Sequence, residues 1–212
     1  MTKVKICGLS TAEQVQAAVT AGADWVGFVH FPPSPRHVSL EQAAALKRLL
    51  PPHIQSVIVV VDAEDMCLQE IIHTVAPDYI QLHGHESVQR VAAIRRCFPV
   101  QRFIKALAIR NGDDVARANA YIPHIDMLLF DAKPPENASL PGGNGLVFDW
   151  ALLKNRNFPL PWLLSGGLDS NNVSGAICIT GAAGVDVSSG VESAAGVKDA
   201  GKIHAFIQAA RK

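Results

Sequence analysis

Apolar residues along the chain follow two alternating patterns, one typical of strands and one typical of helices. Eight short, mostly apolar runs predict β-strands. These predicted strands are 3–7, 24–30, 56–61, 78–83, 102–107, 126–131, 162–166 and 184–189. Between them apolar residues recur at helical spacing, as in Ile203, Phe206, Ile207 and Ala210. This sustained alternation predicts a parallel α/β fold.

Eight strands followed by a final helix favour a closed (β/α)8 TIM barrel that occupies residues 1–212 as one domain. An open doubly wound sheet gives much the same pattern and stays the alternative. Two of the intervening helices have start signals in the sequence. Ser10 with Glu13, and Ser39 with Gln42, each fit a capping box.

Several predicted strands have polar side chains on one face only. Because side chains alternate between faces with a period of two residues, Lys5 and Cys7 lie on the same face of the first strand. The other polar positions of this kind are Gln81, His83, Lys105, Asp131, Asp186 and Ser188. In a barrel this face lines the interior and its C-terminal mouth, where active sites lie.

The position of each polar group within its strand separates two interpretations. Lys5 and Lys105 lie deep in their strands, so we expect satisfied interior ion pairs such as Lys5 with Asp186. Groups at strand ends fall at the predicted mouth and are candidate reactive groups, namely Cys7, His83 and Asp131.

Two late loops have the composition of an anion site. Residues 163–172 contain a strand, a Gly-Gly turn and a predicted helix start with Asp169 or Ser170 as the cap. Residues 185–192 repeat this design with two hydroxyls and one glycine. Glycines let backbone N–H groups approach a ligand, and a helix N-terminus adds partial positive charge. Loops after the last two strands commonly bind phosphate in such barrels, so we predict a phosphorylated ligand.

Composition excludes several other classes of protein. The 212 residues are 49% apolar, and Lys+Arg and Asp+Glu both total 19, so no net charge favours nucleic acid or a membrane surface. No run approaches membrane-spanning length. The four cysteines are scattered and lack metal-ligand spacing, so we expect a reduced cytoplasmic protein without a disulfide or a metal site.

Eight further motifs occur in order along the chain: KICGL (5–9), GADWVGFV (22–29), SPRHVS (34–39), QLHG (81–84), LLFDAK (128–133), GGNG…FDW (142–150), LSGGL (164–168) and VDVSSGVE (185–192). In these motifs the chain resembles the phosphoribosylanthranilate isomerase family of tryptophan biosynthesis over essentially its full length. The resemblance implies a TIM barrel without a cofactor. The implied reaction is the Amadori rearrangement of N-(5-phosphoribosyl)anthranilate to 1-(2-carboxyphenylamino)-1-deoxyribulose 5-phosphate. The implied partner is this small molecule, with the chain a monomer or homodimer.

The same motifs imply roles for individual residues. Cys7 would be the general base, Asp131 the general acid, and Arg36 the ligand of the anthranilate carboxylate. Phosphate contacts would come from Gly166, Gly167, Ser188, Ser189 and Gly190, and further substrate contacts from Gln81, His83 and Asp186. The chemistry calls for such a pair, because ring opening needs an acid and loss of the C2′ proton needs a base.

Two features keep alternative interpretations open. A core role for Cys7 competes with catalysis; the helix predicted from Ser10 would favour a thiolate through its N-terminal field. Residues 134–145, rich in Pro and Gly, form either a mobile lid or a plain surface loop. Competing functions are indoleglycerol-phosphate synthase, ribulose-phosphate epimerase and a non-catalytic phosphometabolite sensor. The synthase interpretation would need a longer N-terminal extension than this sequence has. The epimerase interpretation would need a set of His and Asp metal ligands, which the sequence lacks.

Overall fold

Eight parallel strands close into a barrel in the computed structural model, which describes residues 1–132 and 147–212. The strands are β1 (Lys3–Cys7), β2 (Trp25–Val29), β3 (Gln55–Val60), β4 (Tyr79–Leu82), β5 (Arg102–Ile109), β6 (Met127–Ala132), β7 (Trp162–Leu164) and β8 (Gly184–Val187). Neighbours in sequence are neighbours in the sheet, and β1 pairs with β8, with Lys5 opposite Asp186. The predicted barrel is therefore confirmed, and the open sheet is wrong.

Helices connect the strands and cover the outside of the barrel. They are α1 (Ala12–Ala21), α2 (Leu40–Lys47), α3 (Asp65–Thr74), α4 (Val88–Cys97), α5 (Gly112–Ala116), α6 (Val173–Thr180) and α7 (Ala200–Arg211). Short 3₁₀ turns occupy Arg117–Ala120, Ile122–His124, Trp150–Leu153 and Ser189–Val191. A two-stranded ribbon, β9 (Glu192–Ala194) and β10 (Val197–Lys198), follows the turn after β8. The predicted lid-or-loop segment 134–145 lies outside the described residues.

The N-termini of α1 and α2 test the two predicted capping boxes. Ser39 Oγ accepts from the Gln42 N–H and the Ser39 N–H donates to Gln42 Oε1, so this capping box is confirmed. The prediction for α1 is wrong by one residue. Thr11 caps that helix by accepting from Gln14 N, and the Gln14 side chain accepts from Ser10 N.

Two separate apolar clusters show which strand faces point inward. The larger cluster lies between barrel and helices and includes Val4 and Ile6 of β1. The smaller one fills the barrel interior with Trp25, Val57, Tyr79, Ile104, Ala106, Met127, Leu129 and Leu163. Lys5 and Cys7 therefore point inward, as predicted.

Lys105 is on the other side of the barrel wall from the predicted position. Its neighbours Ile104 and Ala106 face the interior, so Lys105 faces outward beneath the loop after β4. There its ammonium donates to Glu86 Oε2 at 2.6 Å and to the carbonyl of Gly84 at 2.9 Å. A buried ammonium needs hydrogen-bonding and charged partners, and for Lys105 these lie on the outer side of the barrel wall.

Among the residues that the structure describes, none of the helices combines the length and the apolar character needed to cross a membrane.

Candidate active site

Cys7 is the last residue of β1 and lies at the C-terminal mouth of the barrel with only 6% of its surface exposed. Its neighbour across the β1–β2 pair is Gly27. A Cβ at Gly27 would lie 2.8 Å from Cys7 Sγ, so only glycine leaves room for the thiol. The thiol therefore points over β2 into the mouth.

A buried ion pair lies beside the thiol. Lys5 Nζ donates to Asp186 Oδ1 at 2.8 Å, as predicted for the barrel interior, and Lys5 is 0% exposed. Ser165, directly after β7, donates to Asp186 Oδ2 at 3.1 Å. Asp186 is thus engaged by two protein groups.

Burial raises the pKa of the Cys7 thiol and outweighs the positive charges of Lys5 and Lys198, which lower it. α1 begins at Ala12, one residue later than a cap at Ser10 predicts. Free enzyme at neutral pH therefore holds Cys7 mainly as a thiol.

Arg36, in the loop after β2, lies on the same side of the mouth. Its guanidinium donates from Nε to Glu192 Oε1 at 2.7 Å and from Nη2 to Oε2 at 2.8 Å. Lys198 donates to the same Glu192 Oε1 at 2.6 Å. Gly8, with φ of +80°, allows this packing, since a Cβ there would lie 2.6 Å from Arg36 Cδ. Arg36, predicted to bind the anthranilate carboxylate, uses Nε and Nη2 in its pair with Glu192, and Nη1 takes no part in that pair.

Glu192 and Lys198 are site residues that the sequence analysis does not single out. Glu192 is the last residue of the VDVSSGVE motif, so the motif could have identified it as a candidate site residue. Lys198 belongs to no such motif. Besides Glu192 it contacts Ser188, donating to the carbonyl at 3.0 Å and to Oγ at 3.1 Å.

Asp131, one residue before the end of β6, anchors a second polar group of the mouth. Asp131 Oδ2 lies 3.3 Å from His83 Nε2, and His83 Nδ1 lies 2.6 Å from Gln81 Nε2. Oδ1 of Asp131 accepts from the N–H of Ala132 at 2.9 Å. With the Gln81 amide as placed, Nδ1 accepts and a neutral His83 bears its proton on Nε2, directed at Asp131.

The loop after β7 connects the two halves of the mouth. Ser165 bonds Asp186 beside Cys7, and the next residue, Gly166, lies against Asp131. A Cβ at Gly166 would lie 3.1 Å from Asp131 Oδ1 and 2.6 Å from a backbone nitrogen of β6. The predicted base and acid therefore flank one short loop.

The two glycine loops predicted to bind phosphate touch each other. A Cβ at Gly190 would lie 1.9 Å from the carbonyl oxygen of Leu168, so the loops after β7 and β8 pack backbone to backbone. Gly166 and Gly167 have φ of +90° and +61°, a conformation that favours glycine. Ser188, Ser189 and Gly190 form the facing turn.

The helix after the first of these loops starts later than predicted. α6 begins at Val173 with Asn172 as N-cap, rather than with Asp169 or Ser170. Asp169 instead accepts from the backbone of Asn171 and of Asn172, and Asn172 Nδ2 donates to the Gly167 carbonyl at 2.8 Å. These bonds fix the loop rather than begin the helix.

Within residues 1–132 and 147–212 no group of three His, Cys, Asp or Glu side chains is placed to hold a metal ion. The other cysteines lie in helices away from Cys7: Cys67 in α3, Cys97 in α4 and Cys178 in α6.

The chain is similar to proteins of one family. A model described as "N-(5'phosphoribosyl)anthranilate (PRA) isomerase" matches residues 4–209. The N-(5'-phosphoribosyl)anthranilate isomerase of Rhodopseudomonas palustris (strain BisB5) is 49% identical over 208 residues, covering 98% of this chain and 95% of the relative.

Solved structures agree with this match. The phosphoribosyl anthranilate isomerase of Thermotoga maritima superposes with a TM-score of 0.88 at 36% identity, over 100% of this chain and 99% of that one. A phosphoribosyl anthranilate isomerase solved with reduced 1-(o-carboxyphenylamino)-1-deoxyribulose 5-phosphate superposes with a TM-score of 0.84 at 34% identity, over 100% and 99% of the chains. With these matches spanning the whole barrel and its mouth, this chain belongs to the N-(5'-phosphoribosyl)anthranilate isomerase family.

Proposed function

We propose that this chain catalyses the Amadori rearrangement of N-(5'-phosphoribosyl)anthranilate in tryptophan biosynthesis, with Asp131 as general acid and Cys7 as general base. The observation that supports these roles most strongly is the loop after β7. It lies between Asp131 on one side and the Asp186–Lys5 pair beside Cys7 on the other. A sugar held over this loop has both groups within reach.

Asp131 acts first in this mechanism. It gives a proton to the ring oxygen of the ribose while the C1′–O bond breaks and the anthranilate nitrogen forms a C=N bond to C1′. His83 Nε2, 3.3 Å from Asp131 Oδ2, stabilises the carboxylate that results. His83 therefore acts beside the acid, and Gln81 orients it.

Cys7 acts second. Its sulfur accepts the proton from C2′, the C–H electrons form a C1′=C2′ bond, and the C=N electrons return to nitrogen. The enolamine that results becomes the ketone as its hydroxyl loses a proton and C1′ gains one. A thiol that is protonated in free enzyme must lose its proton before this step.

The two anionic ends of the substrate have separate ligands. Arg36 Nη1 binds the anthranilate carboxylate, with Glu192 holding the rest of the guanidinium in place. The backbone of residues 166–167 and 188–190 binds the phosphate, with Lys198 supplying positive charge under Ser188.

A fluorescence assay tests the proposal directly. Purified protein is mixed with freshly generated N-(5'-phosphoribosyl)anthranilate, and the loss of anthranilate-type fluorescence is followed. We expect turnover that falls by about 10²-fold or more in Cys7→Ala and in Asp131→Asn. Binding of the product without turnover by wild-type protein would favour the phosphometabolite sensor instead.

We further propose that the chain acts in the cytoplasm as a monomer or a homodimer. One solved relative at 34% identity is described as a dimer converted to monomers, so both states occur among similar barrels. Light scattering at two protein concentrations measures the state of this chain.

A further inference from the structure

Lys5 is a completely buried cation that the proposed acid–base mechanism leaves without a task. It lies two residues before Cys7 on the inward face of β1, its ammonium donates to Asp186 Oδ1 at 2.8 Å, and its positive charge acts on the Cys7 thiol. A lysine ammonium has three N–H donors, and Asp186 occupies one of them. The remaining donors are available to the sulfur.

Four charged groups of the described residues act on the thiol, and a fifth is paired with two of them. Lys5 on β1, Lys198 on β10 and Arg36 after β2 are cations that act electrostatically on Cys7. The carboxylates are Asp186 on β8, paired with Lys5, and Glu192 on β9, shared between Arg36 and Lys198. Three positive charges and two negative charges give this group a net charge of +1, which opposes the effect of burial on the Cys7 thiol.

Of the two ammonium groups, Lys5 is the one free to bond the sulfur. All three donors of Lys198 are directed elsewhere, at 3.0 Å to the Ser188 carbonyl, 3.1 Å to Ser188 Oγ and 2.6 Å to Glu192 Oε1. Lys198 therefore influences Cys7 only through its charge.

We propose that Lys5 is a positioning residue for the base: Asp186 holds its ammonium against Cys7, and the ammonium binds and orients the thiolate that takes the C2′ proton. This inference rests on the proposed role of Cys7. Lys5 keeps its proton throughout, and the proton from C2′ ends on sulfur. When Cys7 becomes a thiol again, Lys5 remains paired with Asp186.

The titration of both groups agrees with this arrangement. Burial lowers the pKa of Lys5, but the charges of Asp186 and Cys7 raise it by more, so the ammonium stays protonated. Burial raises the pKa of Cys7, and the charge of Lys5 is the largest influence that opposes it. Loss of Lys5 should therefore raise the pKa of Cys7 further, because the effect of burial would meet less opposition.

The test titrates Cys7 without turnover. In a background with Cys67→Ala, Cys97→Ser and Cys178→Ser, the thiolate is followed by its ultraviolet absorbance and by its rate of alkylation with iodoacetamide from acid to alkaline pH. In Lys5→Met we expect the midpoint to rise by at least about one pH unit, a tenfold slower alkylation at a fixed pH below both midpoints. The double variant Lys5→Met/Asp186→Asn removes the pair without leaving a lone carboxylate, and its midpoint should also rise.

Lys105 provides the matched control. It is equally buried in the barrel wall and paired with Glu86, but on the outward face. Lys105→Met and Lys105→Met/Glu86→Gln should lower stability and leave the Cys7 midpoint in place. A midpoint unchanged in both Lys5 variants, or moved equally by the Lys105 variants, would overturn the inference.

Activity measurements separate this inference from the proposed function. Lys5→Met should lower kcat at neutral pH and recover activity at higher pH, with little change in product inhibition. If Cys7→Ala retains turnover, the role of Cys7 as base fails whatever the titration shows. If Cys7→Ala is inactive and the Lys5 variants titrate like wild type, only the role of Lys5 fails.

Discussion

Arg36 and Glu192, 156 residues apart in sequence, form a buried bidentate ion pair with distances of 2.7 Å and 2.8 Å. The pair joins the loop after β2 to β9, the strand that follows the turn after β8. Lys198 binds the same carboxylate. One carboxylate thus fixes two cations of the mouth in place.

Glu192→Gln should destabilise the protein by about 3 kcal/mol, because two buried cations lose their common charge partner. Urea unfolding at neutral pH measures the loss. The matched control is Asp65→Asn, which breaks the exposed pair with Arg90 and should cost less than about 1 kcal/mol. Equal effects of the two substitutions would contradict the structural role of Glu192.

The pH dependence of this effect has a defined sign. Burial raises the pKa of Glu192, but hydrogen bonds and charge from Arg36 and Lys198 lower it by more, so its pKa lies below the ordinary value. Its contribution is therefore complete above about pH 4.3 and is lost as pH falls through the lower, folded-state pKa. The stability difference between wild type and Glu192→Gln should shrink over that acidic range, as measured by urea unfolding.

Arg36→Lys should not behave as a conservative change, because lysine cannot form the planar fork that grips a carboxylate. We expect a higher KM for Arg36→Lys and a still higher one for Arg36→Met. A substrate analogue without the anthranilate carboxylate should bind wild type poorly and distinguish little between the three proteins. Equal affinity losses for both ligands would assign Arg36 to loop structure alone.

Ser189→Asp tests the phosphate site by placing a negative charge in the turn after β8. Loss of one or two charge-assisted hydrogen bonds predicts roughly 10- to 10³-fold weaker binding of product or inorganic phosphate. Ser193→Asp, at an exposed position nearby, is the control and should bind normally. Gly167→Asp should weaken binding too, but its φ of +61° adds a stability loss, so Ser189 gives the cleaner measurement.

Cys7→Ala and Asp131→Asn should each lower kcat by about 10²-fold or more with little change in product binding. Cys7→Ser should lie between wild type and Cys7→Ala, since a hydroxyl is a poorer base than a thiolate. Iodoacetamide should inactivate wild type, and product should protect it. Near-normal turnover of a folded Cys7→Ala variant would return Cys7 to a core role.

Gln81→Leu should lower kcat by roughly tenfold, less than Asp131→Asn does, by removing the group that fixes the proton of His83 on Nε2. The Gln81 amide contacts Nδ1 at 2.6 Å, and its own Oε1 is buried without a hydrogen-bond partner among the described residues. The pH profile of kcat should shift in Gln81→Leu, and an unshifted profile would limit Gln81 to packing.

The sequence predicts every barrel strand to within two residues at each end, because hydrophobic runs and turn residues are local signals. Lys105 is a residue whose side of the barrel wall the sequence does not predict. β5 has apolar residues on both faces, so alternation alone does not indicate which side is inward. The choice depends on Glu86, a partner that only the folded loop after β4 brings to the outer side.

The candidate site divides in the same way. The sequence predicts Cys7 and Asp131 at strand ends and glycines in the turns after β7 and β8, since these are local features of a barrel sequence. The contacts of Glu192 and Lys198 are long-range or lie in an irregular ribbon, where no periodic pattern marks them. The raised pKa of Cys7 likewise follows from burial in three dimensions and not from its neighbours in sequence.

The closure of the barrel also orders events during synthesis. Lys5 lies on the first strand and its carboxylate on the last, 181 residues later. At ribosomal rates of about 5–20 residues per second, roughly 10–40 s separate the two. Throughout that interval the nascent chain has a lysine destined for burial and no Asp186 to pair with it. The Lys5–Asp186 pair, and with it the closed barrel, therefore cannot form until β8 has been synthesised.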